Sequence, residues 1–363
     1  MKDLLVGDIG GTNARFALWR DNQLHEVKVF ATEDYTSPEQ AIEAYLEGLG
    51  IPRGGVTAAC LAVAGPVDGD EFRFTNNHWR LSRVAFCQTL QVERLLLIND
   101  FTAMALGMTR LRPGEFREVC PGQADLSRPA LVIGPGTGLG VGALLRLGEQ
   151  HWHALPGEGG HVDLPVGNAR EAAIHQQIHG QIGHVSAETV LSGGGLLRLY
   201  QAICSLDGDT PRHKTPAQIT DAALGGEPRA LAVIEQFCRF LGRVAGNNVL
   251  TLGARGGVYI VGGVIPRFAE LFVRSGFAAS FSDKGCMSGY FAGVPVWLVT
   301  AEFSGLLGAG VALQQALDKV RRRQLARTLH SAASQLALPT AIQTAAAPSS
   351  SAVAPCIVLK VDR

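Results

Sequence analysis

The sequence lacks an excess of charge of either sign, since its 363 residues include 32 Lys and Arg against 32 Asp and Glu. This balance gives no electrostatic footprint for a nucleic acid or an anionic membrane surface. Long apolar runs are missing as well, because no uncharged stretch reaches the roughly 20 residues that a membrane-spanning helix needs. The sequence therefore predicts a protein with neither nucleic-acid nor membrane partners.

Cysteine is sparse and unpaired in the sequence. The seven residues are scattered, and none of them forms a Cys-x-x-Cys pair. Such a set fits neither a disulfide framework nor a zinc site. Cys60 and Cys238 lie in apolar runs, where a thiol behaves as a small core hydrophobe. This usage is typical of a reducing compartment, and no signal-peptide pattern is recognised, so we expect a cytoplasmic protein.

What the chain has in quantity is glycine, with 44 residues, and the most informative ones form two loops. Residues 7–12 (Gly-Asp-Ile-Gly-Gly-Thr) follow the apolar run Leu4-Leu5-Val6, and residues 134–140 (Gly-Pro-Gly-Thr-Gly-Leu-Gly) follow Leu131-Val132-Ile133. Glycine lets the backbone turn tightly and bring N–H donors close to phosphate oxygens. Each loop alone is equally compatible with an ordinary tight turn. The pair predicts a phosphate tail bound from two sides.

The known glycine-loop motifs fit these two loops badly. The chain has no Gly-x-x-x-x-Gly-Lys-Ser/Thr, which disfavours a P-loop. Alternating polar and apolar residues from Ala14 to Trp19 indicate a strand after the first loop, and Val141 to Leu147 form a strand-like run after the second. A phosphate-binding turn between two strands resembles the actin-like ATPases and differs from the dinucleotide-binding folds.

The length fits two domains with sizeable cores. We predict a small α/β domain of residues 1–111 plus 301–320 and a large α/β domain of residues 112–300, with one glycine loop in each. The helical pattern from Ser304 to Val320 is expected to pack on the first domain. Residues 321–363 begin with three arginines and become rich in Ala, Ser, Thr and Pro, which predicts a disordered tail.

Asn99-Asp100 follows the buried strand pattern of residues 94–98 and precedes a helical pattern. Ligand-facing groups in open α/β sheets occupy this position. The carboxylate of Asp100 could accept the proton of an attacking hydroxyl, as an aspartate does in kinases. A plain helix N-cap is an equally compatible interpretation.

Glu158 and His161 lie in a glycine-rich segment, residues 155–163, where the glycines disfavour the helix of a di-iron Glu-x-x-His signature. A carboxylate and an imidazole on a loop suit the hydroxyls of a polyhydroxylated ligand. Glu188 is either a third hydroxyl acceptor or the N3 partner in a capping box with Ser186, and the capping interpretation is slightly favoured.

Taken together and in order, these motifs resemble the bacterial glucokinase family, in the hexokinase branch of the actin-like ATPase superfamily. The resemblance extends from about residue 3 to residue 318 and rests on residues 7–15, 99–103, 134–140, 155–163, 183–188 and 262–268. It implies a two-domain α/β fold of the actin-like ATPase (ribonuclease H-like) type with an interdomain cleft. It also implies a cytoplasmic homodimer that transfers the γ-phosphate of ATP to the 6-hydroxyl of D-glucose.

The resemblance further implies a role for each matching residue. Asp100 is the general base, and Asp8 holds Mg²⁺ through water. The sugar-binding residues are Asn99, Asp100, Glu158, His161 and Glu188. The nucleotide-binding residues are Gly7, Asp8, Ile9, Gly10, Gly11, Thr12, Gly136, Thr137, Gly138, Gly262 and Gly263.

The chain departs from the family pattern at Asn77-His78, which stands where the family usually has His-Thr. The resemblance therefore does not define the adjoining rim of the sugar cleft. Two alternative functions also stay open. One is a kinase for another hexose, such as mannose or an N-acylated hexosamine. The other is a non-catalytic sugar or nucleotide sensor, although Asp100 argues against it. The cysteine-rich zinc motif of the related repressor/kinase family is missing from the sequence.

Overall fold

The computed structural model describes residues 3–65, 67, 69–74, 77–149, 151–336 and 357–358. The strands are β1 (Asp3–Ile9), β2 (Asn13–Arg20), β3 (Gln23–Ala31), β4 (Val56–Val63), β5 (Glu71–Arg73), β6 (Arg80–Ser82), β7 (Arg94–Asn99), β8 (Phe116–Cys120), β9 (Ala130–Pro135), β10 (Leu139–Arg146), β11 (Trp152–Gly157), β12 (Val258–Ile260), β13 (Val296–Val299) and β14 (Ile357–Val358). The helices are α1 (Pro38–Glu47), α2 (Arg83–Leu90), α3 (Asp100–Gly107), α4 (Ala169–Ile182), α5 (Ala187–Val190), α6 (Gly193–Leu206), α7 (Pro216–Leu224), α8 (Pro228–Leu252), α9 (Ala269–Arg274), α10 (Phe277–Ser282) and α11 (Ser304–Leu336).

The chain divides into two compact units. Unit 1 comprises residues up to 103 together with those from 304 onward, and unit 2 comprises residues 104–303. The predicted boundaries were at 111/112 and 300/301. The first boundary differs because helix α3 begins in unit 1 and ends in unit 2, so the chain crosses between units within a helix and not at the turn that follows it.

Unit 1 is built on a six-stranded sheet with the order β14-β7-β4-β1-β2-β3. Strands β1, β2 and β3 are antiparallel neighbours, whereas β1, β4 and β7 run parallel. Strand β4 is apolar along almost its whole length because both faces of the sheet are covered. Helix α1 begins as the sequence predicts, with the Ser37 hydroxyl accepting from Gln40 N and Pro38 at the first helical position.

The two faces of this sheet carry different helices. Apolar residues of α1 and α2 share one core with alternate residues of β1 and β2, such as Leu5 and Phe16. Helix α11 packs on β1 and β4. At Gly310 of α11, a Cβ atom would lie 2.2 Å from the Trp19 ring, so only glycine allows the helix to approach this closely. The helix that closes unit 1 therefore comes from the far end of the chain.

Unit 2 has the strand order β11-β10-β9-β12-β13-β8, which repeats the arrangement of unit 1 in five strands, while its edge strand β8 is antiparallel to β13. Strands β9, β10 and β11 are antiparallel neighbours, and β9, β12 and β13 run parallel. The long helix α8 packs closely on α10, as a Cβ at Gly242 would lie only 2.4 Å from the Phe277 carbonyl oxygen.

Both glycine loops occupy the turn of a β-hairpin, as the sequence predicts, one between β1 and β2 and the other between β9 and β10. The two hairpins hold equivalent positions in the two sheets.

The C-terminal region differs from the predicted disordered tail of residues 321–363. Helix α11 continues past Val320 to Leu336, because the arginines, glutamines, leucines and alanines here are good helix formers. Residues 321–329 are all exposed. Residues 357 and 358 pair in parallel with Arg94 and Leu95 at the edge of the first sheet. The rest of the predicted tail lies outside the described residues.

Cys60 and Cys238 are buried free thiols, as expected, and burial raises the pKa of each. Within the ranges that the structure describes, no helix is both long and apolar enough to cross a bilayer.

Removal of residues 321–363 should leave activity intact and shift the melting temperature by less than about 3 °C, because the helical extension is exposed and β14 adds only two residues to a sheet edge. Differential scanning fluorimetry and a steady-state assay test this expectation. A second truncation after Leu336 removes β14 but keeps the helix. If both truncated proteins are destabilised, the lost stability belongs to β14. If only removal of residues 321–363 is destabilising, the lost stability belongs to the end of α11. Either result would contradict the expectation.

Candidate active site

The first glycine loop is the tight turn between β1 and β2. Gly10 N donates to Asn13 O at 2.9 Å and closes the turn. The carbonyl oxygens of the loop are bonded to side chains and backbone elsewhere in unit 1, among them the side chains of Thr32 and Asn77. Gly7 is buried within β1, where a Cβ would lie 2.6 Å from the Leu61 side chain. Gly7 is thus required by packing, and so is the buried Ile9, whereas Thr12 at the tip is exposed.

Asp8 lies one residue before the end of β1 and projects towards the start of α11. A Cβ at Gly305 would be 2.9 Å from Asp8 Oδ2, so the carboxylate lies against the first turn of this helix, where the helix dipole favours negative charge. Arg15, its register partner on β2, approaches Oδ2 to 3.6 Å. Burial nevertheless raises the pKa of Asp8 to about 6, with Arg15 opposing the rise and the charge of Asp100 adding to it.

Asp100 is the first residue of α3 and directly follows the parallel strand β7. The Asn99 side chain caps this helix, since its Oδ1 accepts from Phe101 N at 2.9 Å and Thr102 N at 3.1 Å. Asp100 Oδ1 also accepts from Phe101 N, at 2.8 Å. The N-cap interpretation therefore applies to Asn99 more than to Asp100. Burial raises the pKa of Asp100, while hydrogen bonds from Phe101 and Asn99 oppose the rise.

The second glycine loop is the turn between β9 and β10 in unit 2. Gly136 N donates to Gly138 O, and Gly136 O accepts from Gly193 N, each at 2.8 Å. Thr137 at the tip is exposed, as Thr12 is in the first loop. Each hairpin turn therefore carries one exposed threonine, although the turns differ in length, since Gly10 N bonds to the residue three ahead and Gly136 N to the residue two ahead.

Gly262 and Gly263 follow β12, and only Gly262 is tightly packed against neighbouring backbone. Gly262 has a φ of +89°, and a Cβ there would lie 2.4 Å from the Pro135 carbonyl oxygen, so this glycine is required for the strand end to approach the second loop. A Cβ at Gly263 would meet nothing within 4 Å. Gly263 is exposed and free of such packing constraints.

Glu188 lies in the short helix α5, where the sequence slightly favoured a capping role. That interpretation is wrong, because the capping-box partner of Ser186 is Thr189. The Glu188 carboxylate instead lies on the second loop, where its Oε2 accepts from Leu139 N at 2.8 Å. A Cβ at Gly138 would be only 2.4 Å from the same oxygen. Glu188 is thus in contact with the second loop.

Glu158 and His161 occupy the segment that follows β11, and both are exposed. The intervening glycines are required by packing, since a Cβ at Gly160 would lie 2.1 Å from the Leu139 carbonyl oxygen. His161 Nε2 lies 4.0 Å from Glu188 Oε1. Unit 2 therefore brings His161, Glu188 and the second loop into one continuous group, with Glu158 three residues from His161.

Two residues that contact the first loop had no predicted role. Thr32 carries no motif, and only its position after β3 brings it to the loop. Asn77 was recognised as a departure from the family pattern, and it contacts Gly10 of the first loop. Across the described part of the chain, no group of three or more His, Cys, Asp or Glu side chains could hold a metal ion. A metal here would therefore need phosphate oxygens and water as further ligands, which suits Mg²⁺.

Comparisons with known proteins identify the family of this chain. A family model described as Glucokinase matches residues 5–316. The chain is 54% identical over 319 residues to a glucokinase of Pseudomonas paraeruginosa, covering 88% of this chain and 94% of that protein. It is 44% identical over 313 residues to a glucokinase of Hahella chejuensis, covering 85% of this chain and 96% of that protein.

A solved structure gives the same result for the fold. The crystal structure of a glucokinase from an Antarctic psychrotroph superimposes with a TM-score of 0.80 at 37% identity, covering 87% of this chain and 99% of that one. The predicted α/β fold of the actin-like ATPase type is confirmed by this likeness.

The raised pKa of Asp8 predicts a pH-dependent cost in stability. A carboxyl whose pKa is about 6 in the folded protein and near 3.8 in the unfolded chain favours folding below pH 4 and loses that contribution as the pH rises through 6. Asp8→Asn should therefore be more stable than the wild type at pH 8 without Mg²⁺, by about 1–3 kcal/mol, and the difference should vanish near pH 4.

Thermal unfolding in EDTA between pH 4 and pH 8 measures this difference. The exposed Asp221→Asn variant is the matched control and should follow the wild type at every pH. A stability difference between Asp8→Asn and the wild type that stays constant with pH would contradict the assignment.

Proposed function

Because this chain belongs to the glucokinase family, it is an ATP-dependent kinase of glucose, and we propose that Asp100 is its general base. The products are glucose 6-phosphate and ADP. The observation that carries the proposal is the half-buried Asp100 carboxylate at the carboxyl end of a parallel strand, where α/β sheets bind ligands. The base takes the proton from the 6-hydroxyl as this oxygen attacks the γ-phosphorus.

The pKa of Asp100 supports this role. Burial makes the carboxylate a stronger proton acceptor than an exposed aspartate, and a base is most effective when its pKa approaches the working pH. The hydrogen bonds from Phe101 N and the capping of α3 by Asn99 hold the carboxylate in one orientation. Asp100 therefore combines raised basicity with a fixed position.

We propose that the other hydroxyls of glucose bind to Asn99, Glu158, His161 and Glu188. The exposed carboxylate of Glu158 and the exposed imidazole of His161 have the acceptor and donor capacity that a sugar requires. Glu188 has Oε1 directed at His161 and Oε2 bonded to Leu139 N. Its carboxylate can therefore transmit sugar binding to the backbone of the second loop.

The two glycine loops are proposed to bind the phosphates of ATP, with Gly10, Gly11 and Thr12 in one loop and Gly136, Thr137 and Gly138 in the other. Each loop is a hairpin turn whose tip carries an exposed threonine hydroxyl. Gly263, which packing does not constrain, is proposed to contact the adenosine moiety, and Gly262 to support the second loop. Positioning and charge stabilisation are what phosphoryl transfer chiefly requires from a protein.

Asp8 is proposed to hold Mg²⁺ through water. Its carboxyl is half-buried near Asp100, and a nearby cation would favour the ionised form that desolvation disfavours. Bound Mg²⁺ would supply charge neutralisation at the phosphate oxygens. A single carboxylate near the cation, with the remaining ligands from water and phosphate, is a common arrangement for this ion.

A coupled assay of ADP release with a panel of hexoses tests the function. Glucose should give the highest kcat/KM, whereas preference for mannose or an N-acylated hexosamine would assign the chain to another sugar. Binding without ADP release would support a sensor. The cytoplasmic location and the homodimer also belong to this proposal, and fractionation and light scattering test them.

Asp100→Asn keeps the shape of the side chain but cannot accept the proton. We expect kcat to fall about 10²- to 10⁴-fold, the usual contribution of a positioned base. Glucose affinity, measured by titration without nucleotide, should stay near the wild-type value. The acid-side pH dependence of kcat should also lose the contribution of Asp100, whereas the titration of Asp8 remains. Near-normal turnover would remove Asp100 from its catalytic role.

Glu158→Ala and Glu188→Ala form a matched pair. Each loses a charged carboxylate that accepts hydrogen bonds from glucose hydroxyls, so each should weaken glucose binding about 10- to 100-fold. Only Glu188 also bonds to the second loop, so only Glu188→Ala should weaken binding of the ATP analogue AMP-PNP measured without glucose. Isothermal titration distinguishes the two variants. Equal nucleotide affinities would show that the contact with Leu139 N has no part in ATP binding.

A further inference from the structure

The first glycine loop has its carbonyl groups bonded in an unbroken series. Gly10 O accepts from Asn77 Nδ2 at 3.0 Å. Gly11 O accepts from Thr32 Oγ1 at 2.8 Å, and Thr12 O accepts from Thr32 N at 2.9 Å. Three successive carbonyls of an otherwise flexible turn are thus fixed by two residues from other parts of unit 1.

Fixing the carbonyls also fixes the N–H groups. In a trans peptide the C=O and N–H bonds point in opposite directions. When the carbonyls of Gly10 and Gly11 are held towards Asn77 and Thr32, the N–H groups of Gly11 and Thr12 must therefore point away from those side chains. Successive backbone N–H donors with fixed directions can form an anion-binding concavity.

The two anchoring residues are themselves held firmly. Thr32 is only 3% exposed. Asn77 Oδ1 accepts from Trp79 N at 2.9 Å, which orients the amide so that its Nδ2 faces Gly10. Trp79 is fully buried, and its Nε1 donates to Tyr35 O at 2.8 Å. The loop is thereby connected through Asn77 to a rigid part of the core.

We propose that Thr32 and Asn77 are positioning residues that hold the N–H groups of Gly11 and Thr12 ready for the phosphate oxygens of ATP. This inference rests on the proposed phosphate role of the first loop. A glycine turn loses more conformational entropy on ordering than other sequences do, and donors that are already oriented avoid that loss at the moment of binding. The departure at Asn77 then has a function, because this side chain supplies the donor that Gly10 requires.

Matched substitutions separate the hydrogen bonds from the packing. Thr32→Val keeps the shape and removes the hydroxyl donor, whereas Thr32→Ser keeps the donor. Asn77→Ala removes the amide, whereas Asn77→His keeps a ring N–H and is the residue typical of the family. His78→Ala is the control, because His78 is exposed and bonds to Tyr35 O, which still accepts from Trp79 Nε1 after the substitution.

We expect Thr32→Val and Asn77→Ala each to weaken AMP-PNP binding about tenfold, because a lost hydrogen bond leaves a loop carbonyl free to turn. Thr32→Ser, Asn77→His and His78→Ala should bind AMP-PNP with near wild-type affinity. Adenosine, which has no phosphate, should bind all the variants equally, and glucose affinity should not change. Isothermal titration gives these affinities, and scanning fluorimetry gives the melting temperatures.

Thr12→Val distinguishes failure of this inference from failure of the proposed function. If Thr12→Val weakens AMP-PNP binding but Thr32→Val and Asn77→Ala do not, the loop binds phosphate without needing its anchors, and the inference is overturned alone. If none of the three affects AMP-PNP binding, the phosphate role of the first loop fails, and the inference fails with it. Equal weakening of adenosine and AMP-PNP would also overturn it, since loss of fold stability would account for both.

Discussion

Two carboxylates, Asp8 and Asp100, are held close enough in unit 1 for the charge of one to raise the pKa of the other. They lie at the carboxyl ends of β1 and β7, which run parallel with only β4 between them. Two like charges that are both partly removed from water repel each other, and this repulsion reduces the stability of the free enzyme. The surrounding structure compensates with Arg15, with the first turn of α11 and with the capping of α3.

The two units have similar strand arrangements, but different side chains contact the glycine turn in each unit. In both, the first hairpin carries a glycine turn with an exposed threonine at its tip. In unit 1 the turn is anchored by neutral donors that bond to its carbonyls. In unit 2 it is contacted by the Glu188 carboxylate, which bonds to a backbone N–H group instead. A glycine turn is therefore bonded to a buried threonine and to Asn77 in one sheet and to the Glu188 carboxylate in the other.

The sequence was most informative where the determinants are local. The hairpins around both glycine loops follow from the strand alternation that flanks them, and α1 follows from Ser37 and Pro38. Contacts between distant residues could not be predicted. The hydrogen-bond partner of Glu188 is the backbone of Leu139, 49 positions away in the sequence, whereas the sequence pattern favoured the nearby Ser186. Thr32 and Asn77 reach the first loop only through the path of β3 and the burial of Trp79. Helix α11 extends beyond its predicted end at Val320, because residues 321–336 are good helix formers although the tail as a whole has a composition typical of disorder.

The return of α11 to the first sheet has a consequence for synthesis on the ribosome. Unit 2 is one continuous segment, residues 104–303, whereas unit 1 needs residues from both sides of it. Its β-strands emerge early, but the helix that covers one face of β1 and β4, and that meets Trp19 at Gly310, emerges last. At elongation rates of about 5–20 residues per second, the early strands wait roughly 10–40 s with that face uncovered while unit 2 is made. Nascent chains of this protein therefore present an apolar sheet face to chaperones until translation is nearly complete.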